Sequence, residues 1–148
     1  MRRTTPVIPT LFALLIFGAA APVLLADERC SLGSIAGDWG YTITGTRLPL
    51  GPAASVGIVH FDRQGNLSGS QTLSVAGTIV QGEVLSGTIA VNSDCTGSST
   101  IVVSNTPFPR TAHVDVVWGN GSNDFRAIFT DANLILTVDG KRINRSND

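Results

Sequence analysis

Beyond Met1 the chain contains no methionine, Lys141 is its sole lysine, and only 14% of its residues are charged. Cysteine, tryptophan and histidine occur twice each. Each scarcity excludes something. Without a cluster of Lys and Arg there is no electrostatic footprint for a phosphate backbone, so nucleic acid is not an expected partner. No C-x-x-C pair occurs and neither histidine lies near a cysteine, so the usual thiol-redox and zinc arrangements are missing, and no metal or cofactor is expected. No run carries apolar residues at helical spacing, which excludes a helical bundle. No long-period repeat is present, which excludes solenoids and propellers.

What remains is rich in Gly, Thr, Ser and Asn, with apolar residues in short alternating runs. That composition points to an all-β domain. Ahead of it, Met1 to Ala26 has two arginines, a mostly apolar stretch interrupted by Pro9 and Pro22, and a small residue before the charged Asp27-Glu28-Arg29. This is the layout of a cleaved secretory signal peptide over residues 1–26. An uncleaved anchor is the alternative, because the stretch approaches spanning length. Cleavage is the preferred reading, so the expected address is secreted or periplasmic, with no stable membrane insertion afterwards. Removing Arg2 and Arg3 reduces the 10 basic residues to eight against 11 acidic ones, a net charge of about -3.

In a chain that leaves the reducing cytosol, two cysteines read most economically as one disulfide, Cys30 with Cys95. It closes a loop of about 65 residues, for which chain entropy contributes roughly 4 kcal/mol.

Eight strands are expected: 37–46, 55–62, 66–75, 83–92, 98–104, 110–118, 123–131 and 133–142. The clearest signal is Glu83 to Ser104, where Leu85, Ile89 and Val91 share one face, Ser93-Asp94-Cys95-Thr96-Gly97 turns, and Ile101 and Val103 resume that face. Short polar connections at 63–65, 93–97, 119–122 and 131–133 suit hairpins. The expected fold is an eight-stranded antiparallel up-and-down β-barrel over residues 37–144, after an N-terminal segment 27–36 and before a tail 145–148. A two-sheet sandwich is the alternative.

An up-and-down path puts alternate connections at one pole. Cys30, Cys95 and the exit at Lys141-Arg142 then gather at a base. The other pole receives 47–54, 76–82, 105–109 and 131–133, with Leu48, Leu50, Ile79, Val80 and Phe108 around a rim. Apolar residues around one rim mark a binding mouth, or fold down to fill the barrel.

Gly37-Asp38-Trp39 at the first strand and Lys141-Arg142 leaving the last at the same pole resemble the calycin barrels, the lipocalins and avidins. There a G-x-W places an indole across the closed end, and in lipocalins a basic side chain lies over it. The resemblance implies a base plug of Gly37, Trp39 and Arg142. Gly57, Phe61-Asp62 and Gly65-Asn66, with Ser86-Gly87-Thr88 and Asp94-Cys95-Thr96-Gly97, are similar to exported bacterial barrel proteins of unassigned role. The shape is also similar to the allene oxide cyclase barrel. With only Trp39 and Trp118, the likeness to avidins does not extend to their biotin sites.

Strand parity sorts the ionisable groups. His113, Asp115 and Arg126 face outward as a cross-strand cluster, and His60 faces outward beside them in kind. Tyr41, Arg47, Gln71 and Glu83 face inward, with Arg47 and Glu83 near the upper rim, where they either pair or meet a ligand. The expected function is binding of a small, mainly apolar ligand at the open end by Tyr41, Arg47, Leu48, Leu50, Gln71, Ile79, Val80, Glu83 and Phe108, without catalysis. Two alternatives are a cyclase or isomerase using Glu83 or Tyr41 as acid or base, and an envelope interaction protein with a filled barrel. Oligomeric state is not readable.

Overall fold

The structure, a computed structural model, describes residues 30–143. The expected signal peptide and the 145–148 tail lie outside the described residues. A short helix α1 (Leu32–Ile35) leads into β1 (Gly37–Arg47), β2 (Gly51–Phe61), β3 (Asn66–Val75), β4 (Thr78–Val91), β5 (Thr96–Ser104), β6 (Arg110–Gly119), β7 (Asp124–Phe129) and β8 (Leu134–Arg142). Each strand pairs antiparallel with the next, and β8 returns to β1, so the sheet closes as an up-and-down barrel. None of the described helices is long and apolar enough to cross a membrane.

The period of two that builds these strands is plain in β6, where Ala112, Val114, Val116 and Trp118 are buried and Thr111, His113, Asp115 and Val117 between them are exposed. Side chains on the inner face form one continuous core around Trp39, Phe61, Leu85, Val116 and Phe125. A smaller group, with Ala53, Leu73, Val75, Val80 and Leu136, lies towards the other pole.

Three expectations change. The connection 76–82 is not a loop: only residues 76–77 turn, and β4 begins at Thr78. A bulge hides this, because Gln71 pairs with Glu83 but Leu73 with Val80, leaving Gln81 and Gly82 opposite Thr72 alone. The extra residue lets Val80 and Glu83, three apart, both point inward, which breaks the alternation that marks a strand. β2 likewise starts at Gly51, shrinking the expected 47–54 loop to a turn at residues 48–50. Finally, the N-terminal segment holds a helical turn. Ser31 caps it by accepting from the Ser34 amide at 3.2 Å, while Ile35 is wholly buried.

The base is closed by that turn. Cys30 and Cys95 are joined by a disulfide, tying the segment ahead of β1 to the β4–β5 turn. Trp39 is fully buried against Phe61 and Phe125, with ring centroids 6.2 and 5.4 Å away, and its indole Nε1 donates to the Ile35 carbonyl at 2.9 Å. The Arg142 guanidinium lies 4.5 Å above the Trp39 ring and donates to the carbonyls of Ser34, Ala36 and Ser122. Gly37 sits directly beneath it with φ 126°, a conformation that L side chains rarely adopt, and a Cβ there would meet Arg142 Nη1 at 3.1 Å.

Candidate functional site

Above the Trp39 plug the barrel encloses a cavity of about 90 Å³. Its wall is mainly apolar: Ile43, Leu85, Val103, Val114, Phe129 and Leu136 contribute from six different strands. The polar side chains on it are Tyr41, Arg47, Ser55, Gln71, Ser99 and Arg110.

Most of these belong to one hydrogen-bonded chain. Gln71 Oε1 accepts from Tyr41 Oη at 2.9 Å and from Ser55 Oγ at 2.8 Å. With its oxygen so occupied, the Gln71 amide turns Nε2 to Glu83 Oε2, at 2.6 Å. Glu83 is entirely excluded from solvent. Arg110 grips it with both terminal nitrogens, Nη1 to Oε1 at 2.9 Å and Nη2 to Oε2 at 3.0 Å, and Thr106 donates to Oε1 at 2.6 Å. A buried carboxylate is tolerated only with such company. Register places the chain: Gln71 pairs directly with both Gly57 and Glu83. Gly57 is required there, because a Cβ would lie 2.7 Å from the Tyr41 hydroxyl and 2.4 Å from the Ser70 carbonyl.

The electrostatics follow from burial and partners. Burial raises the Glu83 pKa, but hydrogen bonds from Arg110, Thr106 and Gln71, with the Arg110 charge, outweigh it and hold the carboxyl below its ordinary value of 4.5. Burial and the Glu83 charge push the Tyr41 phenol far above its ordinary value of 10.0, against an opposing pull from Arg110. Burial and the Arg110 charge lower the Arg47 pKa from its ordinary value, with Glu83 partly offsetting them. Its Nη1 is buried and has no hydrogen-bond partner among the described residues.

Of the expected ligand-contacting residues, Tyr41, Arg47 and Gln71 line the cavity. Glu83 stands behind Gln71 and Arg110, paired with Arg110 rather than with Arg47. Val80 is buried in the upper core group and Phe108 packs against that group. Leu48, Leu50 and Ile79 are about half exposed (50%, 47% and 59%) and are not part of the cavity wall. They sit in or beside turns much shorter than the expected loops.

Arg110, Thr106 and Ser55 were missed, although parity finds two of them: Arg110 is two residues before the inward Ala112, and Ser55 four before Val59. Thr106, in an irregular loop, carries no such signal. The outward cluster also differs from expectation. His113 Nδ1 hydrogen-bonds Asp131 at 2.8 Å, Arg126 forms an exposed ion pair with Asp139 at 3.4 Å, and Asp115 lies opposite Ile128. The register of β6 against β7 decides this, since Arg126 pairs with Val117, two residues along the outward face from Asp115. His60 is exposed and bonds Asp38 at 2.8 Å. Among the described residues no group of three or more His, Cys, Asp or Glu side chains is placed to hold a metal.

Fold and site together define a closed antiparallel β-barrel with a plugged base and an internal, mostly apolar cavity. No protein-family model, curated protein or solved structure matches the chain.

Proposed function

We propose that the chain is an exported, calycin-like barrel that binds a small, mainly apolar ligand in its lumen without catalysis. The observation that carries this reading is the apolar cavity of about 90 Å³ above the plugged base, with polar side chains confined to a few points on its wall. The calycin likeness draws support from the indole of Trp39 under the Arg142 guanidinium at 4.5 Å. Export draws support from the N-terminal 26 residues of the sequence and from a disulfide, a bond that persists in oxidising compartments.

Volume discriminates between ligands. A cavity of about 150 Å³ in another protein accommodates one benzene ring. The lumen here is smaller, which favours a slender, unbranched group and disfavours a folded polyene. The cyclase reading is weakened further because Glu83 has both oxygens committed to Arg110, Thr106 and Gln71.

Displacement of a fluorescent alkyl probe tests the proposal. Ala127→Leu adds bulk to the cavity wall and is expected to abolish probe uptake while thermal unfolding stays cooperative; overpacking costs about 1–3 kcal/mol. Probe uptake that is the same in Ala127→Leu, or absent in the unaltered protein, overturns it.

A further inference from the structure

Resting on that lumen reading, we propose that the ligand is a monocarboxylate with a slender apolar tail, its head held by Arg47 at the upper end of the cavity. The wall's hydrogen-bond donors lead to this choice. Tyr41 and Ser55 both spend their hydroxyl protons on Gln71 Oε1, and Ser99 donates its own to the Thr88 carbonyl at 2.9 Å. Gln71 gives its amide to Glu83. Arg110 is occupied by Glu83 and by the Phe108 carbonyl at 2.9 Å. Arg47 is the exception, lining the cavity with a buried Nη1 that no protein acceptor reaches among the described residues.

Charge gives the same answer. Glu83 is the one carboxylate among the buried described residues, and Arg110 neutralises it. All four of its hydrogen bonds come from other donors, so it has no lone pair directed to Arg47. The upper cavity is therefore left with one uncompensated positive charge, Arg47. A single-charged anion balances it, whereas a doubly charged phosphate overcompensates. The guanidinium fork fits the planar oxygen pair of a carboxylate. The rest of the wall is mainly apolar, and its volume admits a short chain end-on. Ionised head at Arg47 and alkyl tail directed towards Trp39 satisfy both ends of the cavity.

Calorimetric titration of the purified disulfide-bonded protein at neutral pH tests this with propanoic, butanoic and pentanoic acids, whose tails match the cavity of about 90 Å³, against the matching primary alcohols. Each acid is expected to bind about tenfold or more tightly than its alcohol, the effect of one charge-assisted hydrogen-bonded pair. Arg47→Gln is expected to erase that difference. Should that variant not fold, Arg47→Lys replaces it, with the acid preference reduced severalfold because the fork is lost. Equal affinity for acid and alcohol in the unaltered protein, or an undiminished preference in either variant, overturns the proposal and leaves the lumen reading standing. Failure of acids and alcohols alike to bind overturns both.

Discussion

Arg110 and Glu83, 27 residues apart, form a two-pronged pair inside the barrel, with Glu83 wholly buried and Arg110 at the solvent-facing side of the contact. The pair organises everything polar on the upper wall. It fixes Gln71, which fixes Tyr41 and Ser55, and it tethers the 105–109 loop through Thr106 and the Phe108 carbonyl.

Breaking this pair from one side leaves an unbalanced charge in a low-dielectric wall. Glu83→Gln is expected to destabilise the fold by about 3–5 kcal/mol, and Glu83→Leu combined with Arg110→Leu by much less than the two single changes added together. Urea unfolding of the four proteins of that cycle measures it. Additive single effects would mean that the two groups are not coupled.

Because the Glu83 pKa is held below 4.5, its contribution to stability is complete above that unfolded value and disappears as pH falls through the lower folded value. Melting temperature is therefore expected to fall in acid below about pH 4.5, and to fall less in the double-leucine variant. Parallel acid profiles for the two proteins would contradict this.

Tyr41 is the single tyrosine, so ultraviolet absorbance reports its ionisation directly. Its phenol is raised well above 10.0, and the stability it contributes is therefore whole below that value and lost as pH rises through the folded one. No tyrosinate is expected in the native protein at pH 10, with ionisation arriving together with alkaline unfolding. Tyr41→Phe is expected to cost about 1 kcal/mol, the loss of one hydrogen bond whose acceptor keeps Ser55.

At the base, Arg142→Ala removes both the cation over Trp39 and the donors to three carbonyls. A loss of about 2–4 kcal/mol is expected, and Arg142→Lys is expected to recover under half of it, because an ammonium does not span three acceptors. Denaturant midpoints give both numbers. Full rescue by lysine would show that charge alone matters.

Reduction of Cys30–Cys95 opens a loop with a sequence separation of 65 and is expected to cost roughly 4 kcal/mol. Comparing unfolding with and without reductant, and in the Cys30→Ser, Cys95→Ser double variant, checks it.

Strand parity in the sequence was enough to order the eight strands, close the base with Cys30 and Cys95, and turn Tyr41, Gln71 and Glu83 inward. It failed where one residue too many sits in a strand: the bulge opposite Thr72 made Thr78 to Gly82 look like loop, and inflated the rim that Leu48, Leu50 and Ile79 were expected to form. The partner of Glu83 was also out of reach. Arg47 and Arg110 both have inward parity at the same pole, and only the three-dimensional course of the wall decides which of them Glu83 meets. Helix α1 is four residues long, shorter than any apolar periodicity can reveal.

β1 begins and β8 ends at the same pole, where Ile143 donates to the Asp38 carbonyl at 2.9 Å. A fusion partner or surface linker joined before Cys30 or after Ile143 consequently leaves the molecule on the side opposite Arg47. Immobilised through either terminus, the barrel presents its Arg47 pole to the surrounding solution.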